Sequence, residues 1–527
     1  MPPPSALWYR VPVISNPPPP DAGWQLWIDT GGTFTDCLAK DPTGALHRAK
    51  VLSSSTLRGT VEQVLSPTRL RVREAWGAPP GFVRGLRFRV LGNDTPGIAV
   101  VAHDPESGIL ELAEPLPDLP SPGFGFEIAS PEETPILAAR LVTGTPAGAP
   151  LPPLAMRLAT TRATNALLER KGAPVALFIT RGFRDLLRIG TQQRPELFAL
   201  RIRKPDPLYA SVVEVPERLA ADGSVLQRLD AAQLAPVAAR LLREGVRGAA
   251  VALMHSFRDP RHEQELKAFL LDAGFDHVSC SAELAPFIRL LPRAETAVVD
   301  SYLAPAIQEY LQGVQGALSE GQLHVMTSAG GLVRPEGFRA KDALLSGPAG
   351  GVVGAALAGR RAGHDHVIAF DMGGTSTDVA RFDGDFEYLW EHEVAGAHLV
   401  APALAIETVA AGGGSVCGMG ANGLFVGPES AGAHPGPACY GAGGPLTLTD
   451  VNLLLGRLDP SGWGIPIAPE RSAAALDDLR DSLQARTGED TGHEGLLEGF
   501  LEIANERMAD AIRGISLRKG YDPAEYA

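Results

Sequence analysis

The stretch WIDTGGTFTD, from Trp27 to Asp36, places an aspartate, two glycines and two threonines directly behind a short apolar strand. A second stretch, FDMGGTSTDVA from Phe370 to Ala380, repeats the pattern: DTGGTFTD at 29–36 and DMGGTSTD at 371–378 agree at six of eight positions. Each copy follows an apolar strand and precedes an alternating one, which predicts two β-hairpins with a Gly-Gly turn. Two equivalent domains could therefore face each other across a cleft.

These residue types suit a phosphate and its metal. An aspartate at the end of a buried strand is costly without a partner, and Mg²⁺ is a suitable one. Glycines let backbone N–H groups approach an anion closely, and threonine hydroxyls add directional donors. A single copy is more typical of a plain turn than of a phosphate-binding loop. Two copies favour a clamp on one polyphosphate.

Composition excludes several classes of function. The 527 residues carry a formal charge of −14, which argues against nucleic acid or an anionic membrane as a main partner. Apolar runs are too short for a membrane span. The N-terminus lacks the layout of a signal peptide, so a cytoplasmic protein is expected. The four cysteines form no CxxC pair, which indicates neither a disulfide framework nor a zinc ribbon.

Changes in composition and in hydrophobic pattern along the chain predict the domain organisation. Residues 1–22 are proline-rich and are expected to form a disordered tail. Short alternating runs at 60–130 predict a small β module, inserted into an N-terminal domain of residues 23–59 and 131–340. Residues 341–527 form the second domain, and strand–helix alternation from about 155 predicts an α/β fold. A long helix is predicted over 294–318, kinked or divided at Pro305.

The paired DxGGT loops resemble those of the actin, sugar kinase and heat-shock ATPase superfamily. The segment GPAGGVVGAALAGR at 347–360 is similar to the inter-domain connecting helix of that group. More narrowly, the chain is similar to the A-type half of the hydantoinase/5-oxoprolinase family, which includes acetone carboxylase subunits. The segments that carry this resemblance include TTRATNALLERKG, ITRGFRDLLRIG, LLSGPAGGVVGA, TVAAGGGS, VGPESAGAHPGPACYG and TLTDVNLLLGRL.

The resemblance implies an α/β fold in which two RNase H-like domains face a nucleotide cleft, with the second domain incomplete at Ala527. It implies that Asp29 and Asp371 are catalytic and hold the Mg²⁺ ion of ATP, through water. The implied phosphate-binding residues are Gly31, Gly32, Thr33, Thr35, Gly373, Gly374, Thr375 and Thr377. The implied nucleotide contacts of the glycine-rich turn are Gly412, Gly413, Gly414 and Ser415.

Other candidate substrate residues carry two interpretations each. Thr161, Thr164 and Asn165, in TTRATN, either line the substrate cleft at a helix N-terminus or simply cap that helix. Arg184 lies at a strand-to-helix turn, where it either pairs with a substrate carboxylate or is an ordinary surface arginine.

Three further features also have alternative readings. His434 and Cys439, five residues apart, form either part of a second metal site or a rigid loop. Asp36 and Asp378 lie on the outgoing strands. Each of them has two interpretations: it orients a threonine or a water molecule, or it has a structural role. His255, in LMHSF, is interpreted as a core histidine rather than a catalyst.

Within the family, three segments are most similar to 5-oxoprolinase: WQLWIDTGGTFTDC, RGFRDLLRIGTQQRPELFAL and GPESAGAHPGPACY. The resemblance implies ATP-dependent opening of 5-oxo-L-proline to L-glutamate, through phosphorylation of the amide oxygen and with release of ADP and phosphate. Thr30 departs from the arginine of most 5-oxoprolinase-like openings. A hydantoin-hydrolysing A subunit and the ATP-using subunit of an acetone carboxylase-like complex are alternatives. A sugar or acid kinase and a non-catalytic nucleotide switch are candidates of other classes.

The resemblance also implies partners. A small cyclic amide would be the substrate. A B-type half, on the same or a separate chain, would complete a homo- or hetero-oligomer. The family continues beyond the RKGYDP-type helix end into a strand and a GGAGG-type segment, and the resemblance leaves open whether the chain is active without that part and the B-type half.

Overall fold

The computed structural model describes residues 23–527 except 93–95, 118–122, 193–197, 199, 202–203, 319–320, 395, 421–422, 461–462, 464 and 489–490. The expected tail at 1–22 lies outside the described residues. Within the described part of the chain, no helix has the length and apolar character to cross a membrane.

The first hairpin is confirmed. β1 (Trp24–Thr30), β2 (Phe34–Lys40) and β3 (Leu46–Leu52) form an antiparallel run, in which Asp29 lies opposite Asp36. Side chains alternate between the two faces of β1, so Leu26 and Ile28 are buried while Trp27 is exposed.

The next six strands close into an antiparallel barrel. They are β4 (Thr56–Ser66), β5 (Arg69–Glu74), β6 (Arg87–Val90), β7 (Ile98–Asp104), β8 (Ile109–Leu112) and β9 (Gly125–Ala129). Their spatial order is β4-β5-β8-β7-β6-β9, and β9 pairs back onto β4. Apolar side chains fill the interior, where the rings of Phe88 and Phe126 stack with centroids 5.1 Å apart. The barrel is therefore a packed core and not a channel.

One further strand joins the first sheet, and a helix precedes and follows it in the sequence. The elements are α1 (Thr134–Thr143), β10 (Leu154–Thr160) and α2 (Arg162–Leu168). β10 is parallel to β1, so the carboxyl end of β10 lies beside the first DxGGT loop.

A separate parallel sheet follows. Its elements are β11 (Val175–Thr180), α3 (Leu186–Ile189), β12 (Ser211–Val215), the small hairpin β13 (Arg218–Leu219) and β14 (Val225–Gln227), α4 (Ala235–Arg243), β15 (Gly248–Ala252), α5 (Arg261–Ala273), β16 (His277–Cys280) and α6 (Ser281–Leu284). The strand order is β12-β11-β15-β16, and all neighbours are parallel. All six residues of β11 and all five of β15 are buried, as is typical of a sheet covered on both faces.

α7 (Leu290–Ala317) joins this sheet to the first one. The predicted division at Pro305 is wrong, because the helix continues through the proline over 28 residues, and the predicted kink stays a prediction. Most of its residues from Pro292 to Ala304 are buried, and this packing offsets the backbone hydrogen bond that proline removes. Beyond it come β17 (Gln322–Met326), which is parallel to β10, β18 (Leu332–Val333) and α8 (Ser346–Ala362).

The second hairpin is also confirmed, with Asp371 opposite Asp378. The last elements are β19 (His366–Met372), β20 (Thr377–Asp383), β21 (Tyr388–Val394), β22 (Ala397–Leu404), β23 (Ile406–Val409), β24 (Ser415–Gly420), β25 (Gly423–Ser430), α9 (Leu448–Leu454), α10 (Pro469–Thr487) and α11 (Gly492–Ile515). β19, β20 and β23 form one sheet, and α11 packs on its β20 and β23 strands.

Replacing Gly59 of β4 with alanine should destabilise the barrel. The added Cβ would lie 2.5 Å from Cζ of Phe126 and 2.9 Å from the carbonyl oxygen of Arg73, so the stacked core must shift at a cost of about 1–3 kcal/mol. Gly316→Ala is the control, because open space surrounds that helical position. Thermal melting should show a lower melting temperature for Gly59→Ala and an equal or higher one for Gly316→Ala. Equal melting of Gly59→Ala and the parent would contradict this account.

Candidate functional site

The two DxGGT loops pack directly and reciprocally against each other. A Cβ atom on Gly32 would lie 2.7 Å from the Thr375 hydroxyl, and one on Gly374 would collide with Thr33. Only glycine permits this approach. Within each loop the first glycine donates a matching hydrogen bond, from Gly31 N to Phe34 O at 3.0 Å and from Gly373 N to Ser376 O at 2.9 Å. The two loops therefore share one local geometry.

The threonine hydroxyls of these loops differ in their partners. Thr35 Oγ1 lies 3.1 Å from the Ser53 hydroxyl, and Thr377 Oγ1 donates to Ala411 O at 2.5 Å. Both hydroxyls therefore hold the loops to the rest of the protein. Thr33 Oγ1 is buried and has no hydrogen-bond partner in the described part of the chain. A buried hydroxyl without a partner is costly, and a phosphate oxygen is an acceptor that would satisfy it.

The glycine-rich turn at 412–415 lies on the second loop. Gly413 N donates to Gly373 O at 3.0 Å, and Gly414 N donates to Gly374 O at 2.5 Å. A Cβ atom on Gly412 would come within 2.8 Å of the backbone that follows Gly374. The turn that was implied to contact nucleotide thus supports the second loop through its backbone.

One helix contacts both key carboxylates. A Cβ atom on Gly347 of α8 would lie 3.5 Å from Oδ1 of Asp29, and one on Gly351 would lie 3.1 Å from Oδ2 of Asp371. Residues four apart share one face of a helix, so α8 runs beside the two loops and its glycines leave room for the carboxylates.

Negative charge accumulates in the cleft between the loops. Asp29 as a whole residue is exposed to water at the cleft, whereas its carboxyl group lies among protein atoms. This burial, together with the charges of Asp371, Asp36 and Asp378, raises the pKa of Asp29 to about 7. Burial also raises the pKa of Asp378 to about 6. Lys50 pairs with Asp36 at 2.7 Å and only partly offsets this charge.

This arrangement fits a metal-bound polyphosphate. The hairpins bring Asp29 and Asp371 to the same helix, and a hard cation would relieve the repulsion that their neighbours create. Across the residues that the structure describes, no group of three or more His, Cys, Asp or Glu side chains is arranged to hold a metal ion. Two carboxylates with water and phosphate oxygens would complete such a Mg²⁺ shell.

The alternative metal site at 434–439 is not brought together. His434 is exposed, whereas Cys439 is buried and its burial raises the pKa of the thiol, which disfavours the thiolate. Backbone N–H groups of Ala438 and Cys439 donate instead to the buried Asp450. These contacts favour the rigid-loop interpretation.

The predicted TTRATN residues lie beside the first loop. Thr161 Oγ1 donates to Thr30 O at 3.2 Å, and Asn165 Nδ2 is 3.4 Å from Thr161 Oγ1. Asn165 Nδ2 would also lie 3.9 Å from a Cβ atom on Gly32. Thr164 donates to a carbonyl oxygen ahead of α8. No side-chain cap forms at this helix, so Thr161 and Asn165 border the cleft instead.

Arg184 follows β11 at the edge of the parallel sheet, where Arg293 of α7 also lies. Tyr310 of the same helix is 3.5 Å from the Thr30 hydroxyl, next to the first loop. The helix between Arg293 and Tyr310 spans roughly 25 Å at 1.5 Å per residue. Thr180, at the end of β11, therefore lies toward the Arg293 end of α7, and the role of Arg184, four residues farther on, stays a prediction.

Sequence reasoning missed three residues at the loops. Ser53 donates to Gly31 O at 2.8 Å, and its backbone N–H donates to Thr33 O at the same distance. Gly347 and Gly351 give α8 its contact with the carboxylates. The spacing of four between these helical glycines was a usable signal, whereas nothing near Ser53 marked it.

Comparison with known proteins identifies the family. The model of the hydantoinase/oxoprolinase N-terminal region matches residues 151–274, and the hydantoinase/oxoprolinase model matches residues 293–527. The chain belongs to the hydantoinase/oxoprolinase family. The predicted resemblance is thereby confirmed.

The chain is similar in sequence to 5-oxoprolinases and to a caprolactamase subunit. It is 42% identical to 5-oxoprolinase 1 of Arabidopsis thaliana over 71% of this chain and 32% of that protein. It is 38% identical to 5-oxoprolinase of Saccharomyces cerevisiae over 69% of this chain and 32% of that protein. Caprolactamase subunit alpha of Pseudomonas jessenii is 33% identical over 70% of this chain and 55% of the relative. The chain thus spans about a third of the length of these 5-oxoprolinases.

Solved structures of acetone carboxylase and caprolactamase are similar to this chain in fold. Nucleotide-free acetone carboxylase superposes with a TM-score of 0.70 at 22% identity, over 95% of this chain and 64% of that chain. ATP-dependent caprolactamase from Pseudomonas jessenii gives a TM-score of 0.60 at 26% identity, over the same shares. The hydantoinase/oxoprolinase chain therefore has the predicted α/β fold, with one large mixed sheet.

Asp29→Asn should stabilise the protein more at pH 8 than at pH 5. The carboxyl has an ordinary pKa near 4 when unfolded and about 7 when folded, so the folded state binds more protons between these values. The carboxylate therefore lowers stability progressively as pH rises from about 4 to 7, and asparagine removes this effect. Melting temperatures in a metal chelator would measure the difference. A gain of equal size at both pH values would contradict the raised pKa.

Gly351→Ala should weaken Mg-ATP binding, by roughly tenfold, because its methyl group would displace the Asp371 carboxylate by a few tenths of an ångström. Gly354→Ala on the same helix is the matched control, since nothing lies within 4 Å of its added Cβ atom. Titration of Mg-ATP by calorimetry would compare the two variants. Equal affinities would show that α8 does not position Asp371.

Proposed function

We propose that this chain is the ATP-using part of a cytoplasmic hydrolase that opens a cyclic amide, with 5-oxo-L-proline as the first candidate substrate. The observation that carries the proposal is the meeting of two glycine–threonine loops beside Asp29 and Asp371, where an unpartnered Thr33 hydroxyl and excess negative charge are found together. The 5-oxoprolinases among its relatives support the substrate.

The chemistry requires phosphoryl transfer. An amide carbonyl is a poor electrophile, so the amide oxygen attacks the γ-phosphorus of ATP and ADP leaves. The oxygen then carries a good leaving group. One water adds to the activated carbon, and the C–N bond breaks as the ring nitrogen takes a proton, which leaves an acyl phosphate. A second water hydrolyses the acyl phosphate to the carboxylate and free phosphate. Two waters are consumed in all, one for the ring and one for ATP, giving L-glutamate, ADP and phosphate.

The residues of the loops would act by positioning and charge. Thr33 would donate its hydroxyl hydrogen to a phosphate oxygen, and the glycines would let backbone N–H groups approach. Asp29 and Asp371 would hold Mg²⁺ through water, and the chemistry that Mg²⁺ supplies when bound is neutralisation of phosphate charge. Thr161 and Asn165, beside the first loop, are the nearest candidates to contact the cyclic amide.

A different lactam ring is the second candidate substrate. Caprolactamase is related over most of this chain, both in sequence and in structure, and a lactam opens by the same chemistry. The word "subunit" in that relative's name, and the two thirds of the 5-oxoprolinases that this chain does not span, support a B-type partner half. Hydantoin hydrolysis and carboxylation of a ketone remain alternative uses of the same ATP site.

Phosphate release from Mg-ATP tests the proposal. It would be measured with and without 5-oxo-L-proline, for the purified chain alone and mixed with a B-type half. Stimulation with glutamate appearing in step is expected. Asp371→Ala should abolish turnover without loss of fold, whereas Asp365→Ala, at an exposed position before β19, should retain it.

Other outcomes would redirect the assignment. Stimulation only by caprolactam, hydantoin, or a ketone with bicarbonate would keep the ATP site and change the substrate. A stable phosphorylated sugar or acid would indicate a kinase. Full activity of Asp371→Ala would overturn the role of the paired loops.

A further inference from the structure

A row of three side chains crosses the first hairpin on its exposed face. Asp29 of β1 lies opposite Asp36 of β2, and Asp36 lies opposite Lys50 of β3. Residues directly opposite each other on neighbouring strands point to the same face of a sheet. Lys50 Nζ donates to both carboxylate oxygens of Asp36, at 2.9 and 2.7 Å, and lies 4.9 Å from the centroid of the Phe34 ring. Two contacts therefore hold this ammonium in the first row, which comprises Asp29, Asp36 and Lys50.

An equivalent row crosses the second hairpin, but its third member is neutral. Asp371 of β19 lies opposite Asp378 of β20, and Asp378 lies opposite Thr408 of β23. The Thr408 hydroxyl donates to Oδ1 of Asp378 at 2.6 Å. A hydroxyl satisfies one acceptor position of a carboxylate and brings no positive charge. In the part of the chain that the structure describes, neither aspartate of this second row forms an ion pair.

The two rows meet at one helix. Oδ1 of Asp29 lies against Gly347 of α8, and Oδ2 of Asp371 lies against Gly351, four residues farther along. Four residues advance a helix by about 6 Å, so a hydrated divalent cation in the cleft can reach either row. Attraction between opposite charges weakens with distance, and such a cation therefore lies nearer the row with the larger negative charge.

We propose that Lys50 is a positioning residue that directs the divalent cation of ATP toward Asp371 and away from Asp29. The first row contains two carboxylates and one ammonium, whereas the second row contains two carboxylates and no cation. The phosphates would extend toward the first loop, where the buried Thr33 hydroxyl has no hydrogen-bond partner among the described residues. This role of Lys50 rests on the proposed function, because it requires that the cleft binds Mg-ATP.

A purely structural role of Lys50 would have a different signature. The side chains of Lys50 and Asp36 are 54% and 60% exposed, and exposed ion pairs contribute little to folding stability. Loss of this pair should therefore leave the melting temperature nearly unchanged. A change in cation binding without a change in melting separates cation placement from packing.

Binding of Mn²⁺ to the full chain tests the proposal, because Mn²⁺ takes the same oxygen ligands as Mg²⁺ and electron paramagnetic resonance counts its free ions. Titrations would be made without nucleotide and with ADP. Lys50→Met should bind Mn²⁺ roughly threefold or more tightly, or bind a second ion, because the first row loses its ammonium. Lys50→Arg, which keeps the charge, should bind like the parent. Arg48→Met is the matched control, since Arg48 lies on the same face of β3 but opposite Leu38, farther from the loop.

Thr408→Lys is the converse variant. An ammonium opposite Asp378 would give the second row the same charges as the first, so Mn²⁺ binding should weaken by roughly tenfold. Thr408→Val removes the hydroxyl without adding a charge and should change the affinity much less. Thr408 is exposed, so both variants should melt like the parent.

Several outcomes would overturn the role of Lys50. These are an unchanged Mn²⁺ affinity in Lys50→Met or in Thr408→Lys, an equal change in Arg48→Met, and absence of Mn²⁺ binding by the parent chain under both conditions. The expected Mn²⁺ shifts in a chain whose ATP turnover does not respond to 5-oxo-L-proline would keep the role of Lys50 and overturn the substrate assignment. Failure of this role and failure of the proposed function are therefore distinguishable.

Discussion

The contact between the two DxGGT loops is the constraint on which the rest of the structure depends. Gly32 meets Thr375 and Gly374 meets Thr33, so each glycine makes room for the threonine of the other loop. A Cβ atom at either glycine would separate the loops and widen the cleft. The 412–415 turn and α8 both pack on this junction through glycines, which shows that close backbone approach is the common design of the region.

The same junction concentrates negative charge. Each hairpin places an aspartate directly opposite another, Asp29 facing Asp36 and Asp371 facing Asp378. Like charges opposite each other destabilise a β-ladder. Burial of the Asp29 carboxyl raises its pKa to about 7, and the charges of Asp371, Asp36 and Asp378 add to this shift. A cation at this cleft would offset the charge of the two aspartate pairs. A metal-bound polyphosphate would bring such a cation, together with phosphate oxygens that coordinate it.

The two ends of α7 lie in different surroundings. The loops lie near the end of α7 that carries Tyr310, and the turns around His255 lie near the end that carries Arg293. A fully buried salt-bridged network stabilises the second location, where His255 retains a strained backbone with a φ of 63°. His255 is half-buried and not part of the core, so its interpretation as a core histidine is wrong. The barrel begins just beyond Ser53, which donates a hydrogen bond to the first loop, so the barrel is anchored beside that loop.

The local patterns determined both hairpins, the strands that follow them and the candidate carboxylates, because strand alternation and Gly-Gly turns are encoded within a few residues. The family resemblance followed from the same motifs. Only the tertiary structure decided that Thr33 has no hydrogen-bond partner among the described residues while Thr35 and Thr377 have one, and that α7 runs unbroken through Pro305. Those facts depend on which segments, up to hundreds of residues apart, pack together. Packing is a cooperative property of the whole chain, and a short stretch of sequence does not contain it.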